Sequence, residues 1–110
     1  MEIIDEYTLL EPPHEINKFG DQIWYKDGKR HRDDGPAVID VNGTQHWYKD
    51  DKRHREDGPA VIYADGDQYW YIHNVDITDD VTQWAEQCDI DLVNMSDSDK
   101  LLLKIFICGL

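Results

Sequence analysis

The stretch Lys29-Arg30-His31-Arg32-Asp33-Asp34-Gly35-Pro36-Ala37-Val38-Ile39 returns 23 residues later as Lys52-Arg53-His54-Arg55-Glu56-Asp57-Gly58-Pro59-Ala60-Val61-Ile62. The same offset pairs Gly20 with Gly43 and Gly66, Trp24 with Trp47 and Trp70, and Tyr25 with Tyr48 and Tyr71. Identity at so many fixed offsets marks one supersecondary unit used repeatedly, in two full copies and a truncated third. Asn42-Gly43 separates the apolar run 37–41 from 44–48, and Asp65-Gly66 separates 60–64 from 67–71. Both dipeptides accept the positive φ angles of a type I′ turn, so each predicts a two-residue hairpin. That turn sets Val41 opposite Thr44, Ile39 opposite His46, Ala37 opposite Tyr48 and Val38 opposite Trp47. Asp-Gly-Pro at 34–36 and 57–59 predicts a second kind of turn, because proline cannot donate to a central ladder and glycine accepts the bend.

Two strands per unit place equivalent residues of successive copies about 9–10 Å apart. Trp24, Trp47 and Trp70 then form one ladder, and Tyr25, Tyr48 and Tyr71, one residue on, form another on the opposite face. One aromatic face supplies the core; the other is covered or used. The 23-residue period, the Trp-x-x-x-Gly-Lys-x-His of Trp24, Gly28, Lys29 and His31, and the hairpin glycine resemble MORN repeats over about residues 20–78. The resemblance implies a β-hairpin per repeat and a scaffold for protein or lipid contacts. In place of the glycines usual after the histidine, this chain has Arg-x-Asp-Gly-Pro-Ala at 32–37 and 55–60. In that respect it is similar to the His-Arg-x-Asp-Gly-Pro-Ala repeats of bacteriophage and large-virus proteins.

Beyond the repeats, Thr78-Asp79-Asp80 followed by Val81, Trp84, Ala85 and Cys88 has an N-cap residue, acid in the first turn and apolar spacing of three and four. This predicts an amphipathic helix over 79–88. Ser96 caps a second helix over 97–108 that ends before Gly109. Its core, Leu101 to Ile107, is apolar nearly all round, so it is either deeply buried or shared with a partner. Residues 1–19, with Pro12-Pro13, are an N-terminal edge segment with a strand at 2–9. The expected fold is therefore mainly β with C-terminal helices: one domain over 1–110, comprising an antiparallel meander of tandem hairpins at 20–78 and a two-helix cap at 79–110.

The chain has 24 acidic and 11 basic residues, a net charge of −13, and the three segments just named carry −4, −4 and −5. Such a balance keeps a protein soluble and repels duplex nucleic acid and anionic membranes, while basic protein surfaces remain possible partners. Met1-Glu2-Ile3-Ile4-Asp5-Glu6 has acid where a signal peptide needs base, and the longest apolar run is too short for a bilayer. Cys88 and Cys108 have no disulfide or metal-knuckle spacing and read as buried free thiols of a cytoplasmic protein, that of the host cell if the source is viral.

The most chemical-looking feature is the duplicated Lys-Arg-His-Arg loop. Arg30, His31, Arg32, Arg53, His54 and Arg55 could converge on one anion through guanidinium forks. Alternatively Arg32 and Arg55 pair with the carboxylates two residues on and pin the Asp-Gly-Pro turns, while the histidines pack on the tryptophans. No metal-ligand spacing, nucleophile constellation, phosphate loop or dinucleotide fingerprint is present, so neither a cofactor, a metal nor an enzyme is expected. Three functions follow. The first is a non-enzymatic protein-binding module, in a viral setting an inhibitor of a host defence protein, using Tyr25, Tyr48 and Tyr71 as hot spots. The second is an acidic nucleic-acid mimic that blocks a nuclease or immune effector. The third is nucleotide or other small-anion capture by the duplicated loops. Self-association through the first strand or the last helix is open as well.

Overall fold

The computed structural model describes residues 12–110, so the strand expected at 2–9 lies outside the described residues. Among the described residues, twelve short strands precede two helices. Strands β1 (Glu15–Ile16), β2 (Gln22–Ile23), β5 (Val38–Ile39), β6 (Gln45–His46), β9 (Val61–Ile62) and β10 (Gln68–Tyr69) form one antiparallel sheet in the order β1-β2-β5-β6-β9-β10. Strands β3 (Tyr25–Lys26) and β4 (Lys29–Arg30), β7 (Tyr48–Lys49) and β8 (Lys52–Arg53), and β11 (Tyr71–Ile72) and β12 (Val75–Asp76) form three separate two-stranded ribbons. Each 23-residue unit thus holds two hairpins rather than one. The first begins before residue 20, since Gly20 closes the hairpin of β1 and β2.

A tryptophan links the two systems in each of the two full copies. The Trp24 N–H donates to the Ala37 carbonyl in the sheet at 2.8 Å, and its own carbonyl accepts the His31 N–H of the ribbon at 3.1 Å. Trp47 does the same with Ala60 and His54. The three indoles fall at the corner between sheet and ribbons and are buried, so of the two aromatic rows it is the tryptophans that supply the core. The ribbons are joined side by side: Asp51 N–H donates to the Arg30 carbonyl at 3.0 Å, and Asn74 N–H to the Arg53 carbonyl at 2.9 Å.

The expected hairpin register is off by one. Val38 faces His46 and Ile39 faces Gln45. The loop is longer than two residues: Asp40 N–H donates to the Thr44 carbonyl and Gly43 N–H to the Asp40 carbonyl, and only Gly43, at φ +94°, is left-handed. This is a type I turn closed by a glycine bulge. The Asn42 side chain selects it by accepting the Thr44 N–H at 3.0 Å, as Asp65 does for Asp67. Type I′ geometry occurs in the ribbons instead, at Asp27-Gly28, Asp50-Asp51 and His73-Asn74, all with positive φ. Asp51 and Asn74 hold that conformation without glycine because their side chains accept the Arg30 N–H at 2.7 Å and the Arg53 N–H at 2.8 Å of the preceding ribbon.

After the third unit the repeat stops. Ile77 and Thr78 stand where the first two units have His31-Arg32 and His54-Arg55. The Trp70 N–H, with no further alanine carbonyl to meet, donates to Thr78 Oγ1 at 3.0 Å, and that hydroxyl donates to Asp76 at 2.6 Å. Helix α1 (Thr78–Cys88) starts there, one residue earlier than expected, so Thr78 closes the array instead of capping the helix. Helix α2 (Asp97–Cys108) has the expected Ser96 cap, as a capping box with Asp99, and Gly109 at its end. Trp70, Ile77, Val81, Leu103 and Ile107 pack into one core that covers the open end of the repeats. Replacing Thr78 by Val leaves the buried Trp70 N–H without an acceptor, so urea unfolding should show a loss of about 1–3 kcal/mol that Thr78→Ser avoids. Equal stability of the three proteins would mean the hydroxyl does not close the array.

Candidate functional site

The basic loops point inward. The Arg32 guanidinium lies 3.9 Å over the Trp24 ring, donates from Nη1 to the Pro36 carbonyl at 3.3 Å and sits 3.3 Å from Asp34 through Nε. Arg55 repeats this over Trp47 at 4.0 Å, bonding the Pro59 carbonyl at 3.1 Å and Asp57 at 3.1 Å. Only 1% of the Arg32 side chain is exposed, so its fork is spent on its own turn. Gly58 leaves room for the guanidinium: a Cβ there would stand 2.7 Å from Arg55 Cζ, so the arginine would have to shift. Arg30 caps Tyr48 at 4.2 Å and Arg53 lies 5.5 Å from Tyr71, each reaching from one unit to the next. Tyr48 is buried, Tyr25 and Tyr71 are half-buried, and the Tyr25 hydroxyl donates to Glu15 at 2.7 Å. Tyr48 and Tyr71 are covered by guanidinium groups and Tyr25 is tied to Glu15, so the row does not form a uniformly open aromatic face.

The histidines act as rivets between units. His31 Nδ1 accepts the Asp50 N–H and His54 Nδ1 accepts the His73 N–H, each at 3.2 Å. A backbone donor at Nδ1 places the ring proton on Nε2, which donates to Asp33 at 2.7 Å in the first loop and to Glu56 at 3.3 Å in the second. Burial pushes the His54 imidazole below its usual value, with the His73 ring 4.3 Å away adding to the effect against an opposing Glu56 bond. The hydrogen bond from His31 holds the Asp33 carboxyl below the usual carboxylate range.

Between the two loops lies an open cleft of 380 Å³, lined on both sides by these arginine, histidine and carboxylate groups and reached by Lys49 and Lys104. Four cations face four carboxylates there, so it has no net positive field, and Lys104 itself lies 3.8 Å from Glu56. Among the described residues no group of three or more histidine, cysteine or carboxylate side chains is placed to hold a metal ion. No helix is long and apolar enough to cross a membrane among the described residues.

An apolar surface is left open on α2. Leu103 and Ile107 are buried, whereas Leu101 is 60% exposed, Leu102 51%, Ile105 62% and Leu110 61%. Leu101, Lys104, Ile105, Cys108 and Gly109 border a shallow apolar hollow on the side away from the core. Both cysteines are exposed, against the burial expected of them: Cys108 shares this outward face, and Cys88 is the last residue of α1, off the stripe of Val81 and Ala85. The pairwise use of Leu101–Ile107 was legible as an all-round apolar helix; which half stays open was not.

With this geometry established, comparison with known proteins finds no matching family, no matching curated protein and no matching solved structure.

Two outcomes test the loops. Gly58→Ala should displace Arg55 from Trp47 and cost about 1–3 kcal/mol in urea unfolding, and a neutral effect would mean the clamp has slack. Because the folded His54 binds its proton less readily than the unfolded chain does, its contribution is complete above about pH 6.5 and falls as pH drops below that value. Thermal melts from pH 8 to 5 should show this decline in the native protein, and it should flatten in His54→Gln.

Proposed function

We propose that this chain is a non-enzymatic protein-binding module in which the repeats form a rigid base and the outward face of α2 is the docking surface. The observation that carries the reading is the two-sided character of α2. One face locks into the core with Trp70, Ile77 and Val81, while three large apolar side chains away from it, Leu101, Leu102 and Ile105, remain more than half exposed. Burying each on association is worth about 1–2 kcal/mol, and contiguous exposure of this kind marks an interaction site. The arginine loops support the same choice by exclusion, since Arg32 and Arg55 are committed to their own turns and the cleft beside them is charge-balanced. Exposed Asp79, Asp80, Glu86, Asp89 and Asp91 surround the cap with negative charge and favour a partner whose rim is basic.

Leu101→Asp/Ile105→Asp should leave the fold intact, because both side chains project from it, with melting curves superimposable on the native one. Used as bait in a bacterial lysate, the native protein should retain a stoichiometric partner that the double variant does not. A native bait that retains none, or two baits that retain the same proteins, would sink the reading.

A further inference from the structure

Resting on that docking surface, we infer that in the absence of another protein the outward face of α2 is covered by a second copy of this chain, in an antiparallel helix pair centred on Leu101. The charge order along the helix is the reason. Asp97 and Asp99 occupy the first turn, and Lys100 and Lys104 follow; these two lysines are the only bases after residue 78. At 100° per residue, Asp97 and Lys104 fall on the same flank of the stripe formed by Leu101 and Ile105. A two-fold axis at right angles to antiparallel helices brings like flanks together. With a rise of about 1.5 Å per residue, Lys104 lies about 4.5 Å beyond Leu101 and Asp97 about 6 Å before it. A dyad at Leu101 therefore sets Lys104 of each copy, which is half-exposed and only 3.8 Å from Glu56 of its own chain, beside Asp97 of the other, twice over.

The same register packs Leu101 and Leu102 against their own counterparts. It lays Ile105 over the first turn of the other helix. A parallel pairing about an axis along the helices would instead put the two Asp97–Lys104 flanks on opposite sides of the seam, where neither ion pair can form. Opposed helix dipoles add to the preference for the antiparallel arrangement. Faces of this extent bury on the order of 900 Å² in total, below the roughly 1,200–2,000 Å² of stable interfaces, so the pair is weak and exchanges readily. That weakness suits a mask: the apolar face is shielded at high concentration and released to a tighter partner.

Analytical ultracentrifugation of the full chain from about 10 µM to about 1 mM spans the corresponding range of dissociation constants. The native protein should pass from monomer toward twice the monomer mass. Lys104→Asp alone sets acid against acid, Asp97→Lys alone sets base against base, and each should remain monomeric throughout. Their equimolar mixture restores both ion pairs and should regain the native mass increase, a rescue that loss of folding cannot mimic. A native chain that stays monomeric at every concentration, a dimer that survives Leu101→Asp, or a mixture no heavier than its parts overturns the inference. The lysate experiment is run at bait concentrations below this range, so a partner retained there by a chain that never dimerises would uphold the docking surface while removing the second copy from it.

Discussion

Everything in this molecule depends on the tryptophan that gives its N–H to one hairpin system and its carbonyl to the other. A strand that continued straight through Trp24 or Trp47 would keep both groups in one sheet. Turning there divides the backbone bonds between a six-stranded sheet and a row of ribbons and leaves the indole in the corner. The arginine eight residues later then covers the indole and holds the Asp-Gly-Pro turn through a proline carbonyl. The conspicuous basic motif is thus part of the corner, with its charge neutralised where it stands.

The units also hold one another. Left-handed backbone at Asp50, Asp51, His73 and Asn74 would cost of order 1–3 kcal/mol per residue if it stood alone. Here it is offset by bonds to the preceding unit, through His31, Arg30, His54 and Arg53. The first ribbon uses Asp27-Gly28, whose glycine tolerates the turn without such help. Stability in such an array is therefore a property of neighbours, and the last unit needs something else to close it. Thr78 and the two helices supply that closure. In covering Trp70, α2 spends one apolar face and leaves the other toward solvent.

The pattern of successes and failures in the sequence is physical. The 23-residue period and both helices were legible because each rests on local signals: identity at fixed offsets, apolar spacing and caps. The hairpin register was not, because Asn-Gly serves two turns of different length and the Asn42 side chain settles between them through a bond to Thr44. The ribbons were overlooked because only the first has Asp-Gly, and the others take the same turn through side-chain bonds from a neighbouring unit. Tyr48 and Tyr71 looked open for a similar reason: the cover of each is an arginine from the unit before.

The sequence by itself determined a repeating β architecture with a helical cap, since repetition and periodicity are written residue by residue. Only the tertiary structure decided what the charged and apolar groups are for. Whether Arg32 faces a ligand or its own turn depends on a proline carbonyl and an indole brought beneath it by folding. Whether Leu101 is core or surface depends on which side of α2 meets Trp70, and a helix apolar on both faces does not encode that choice.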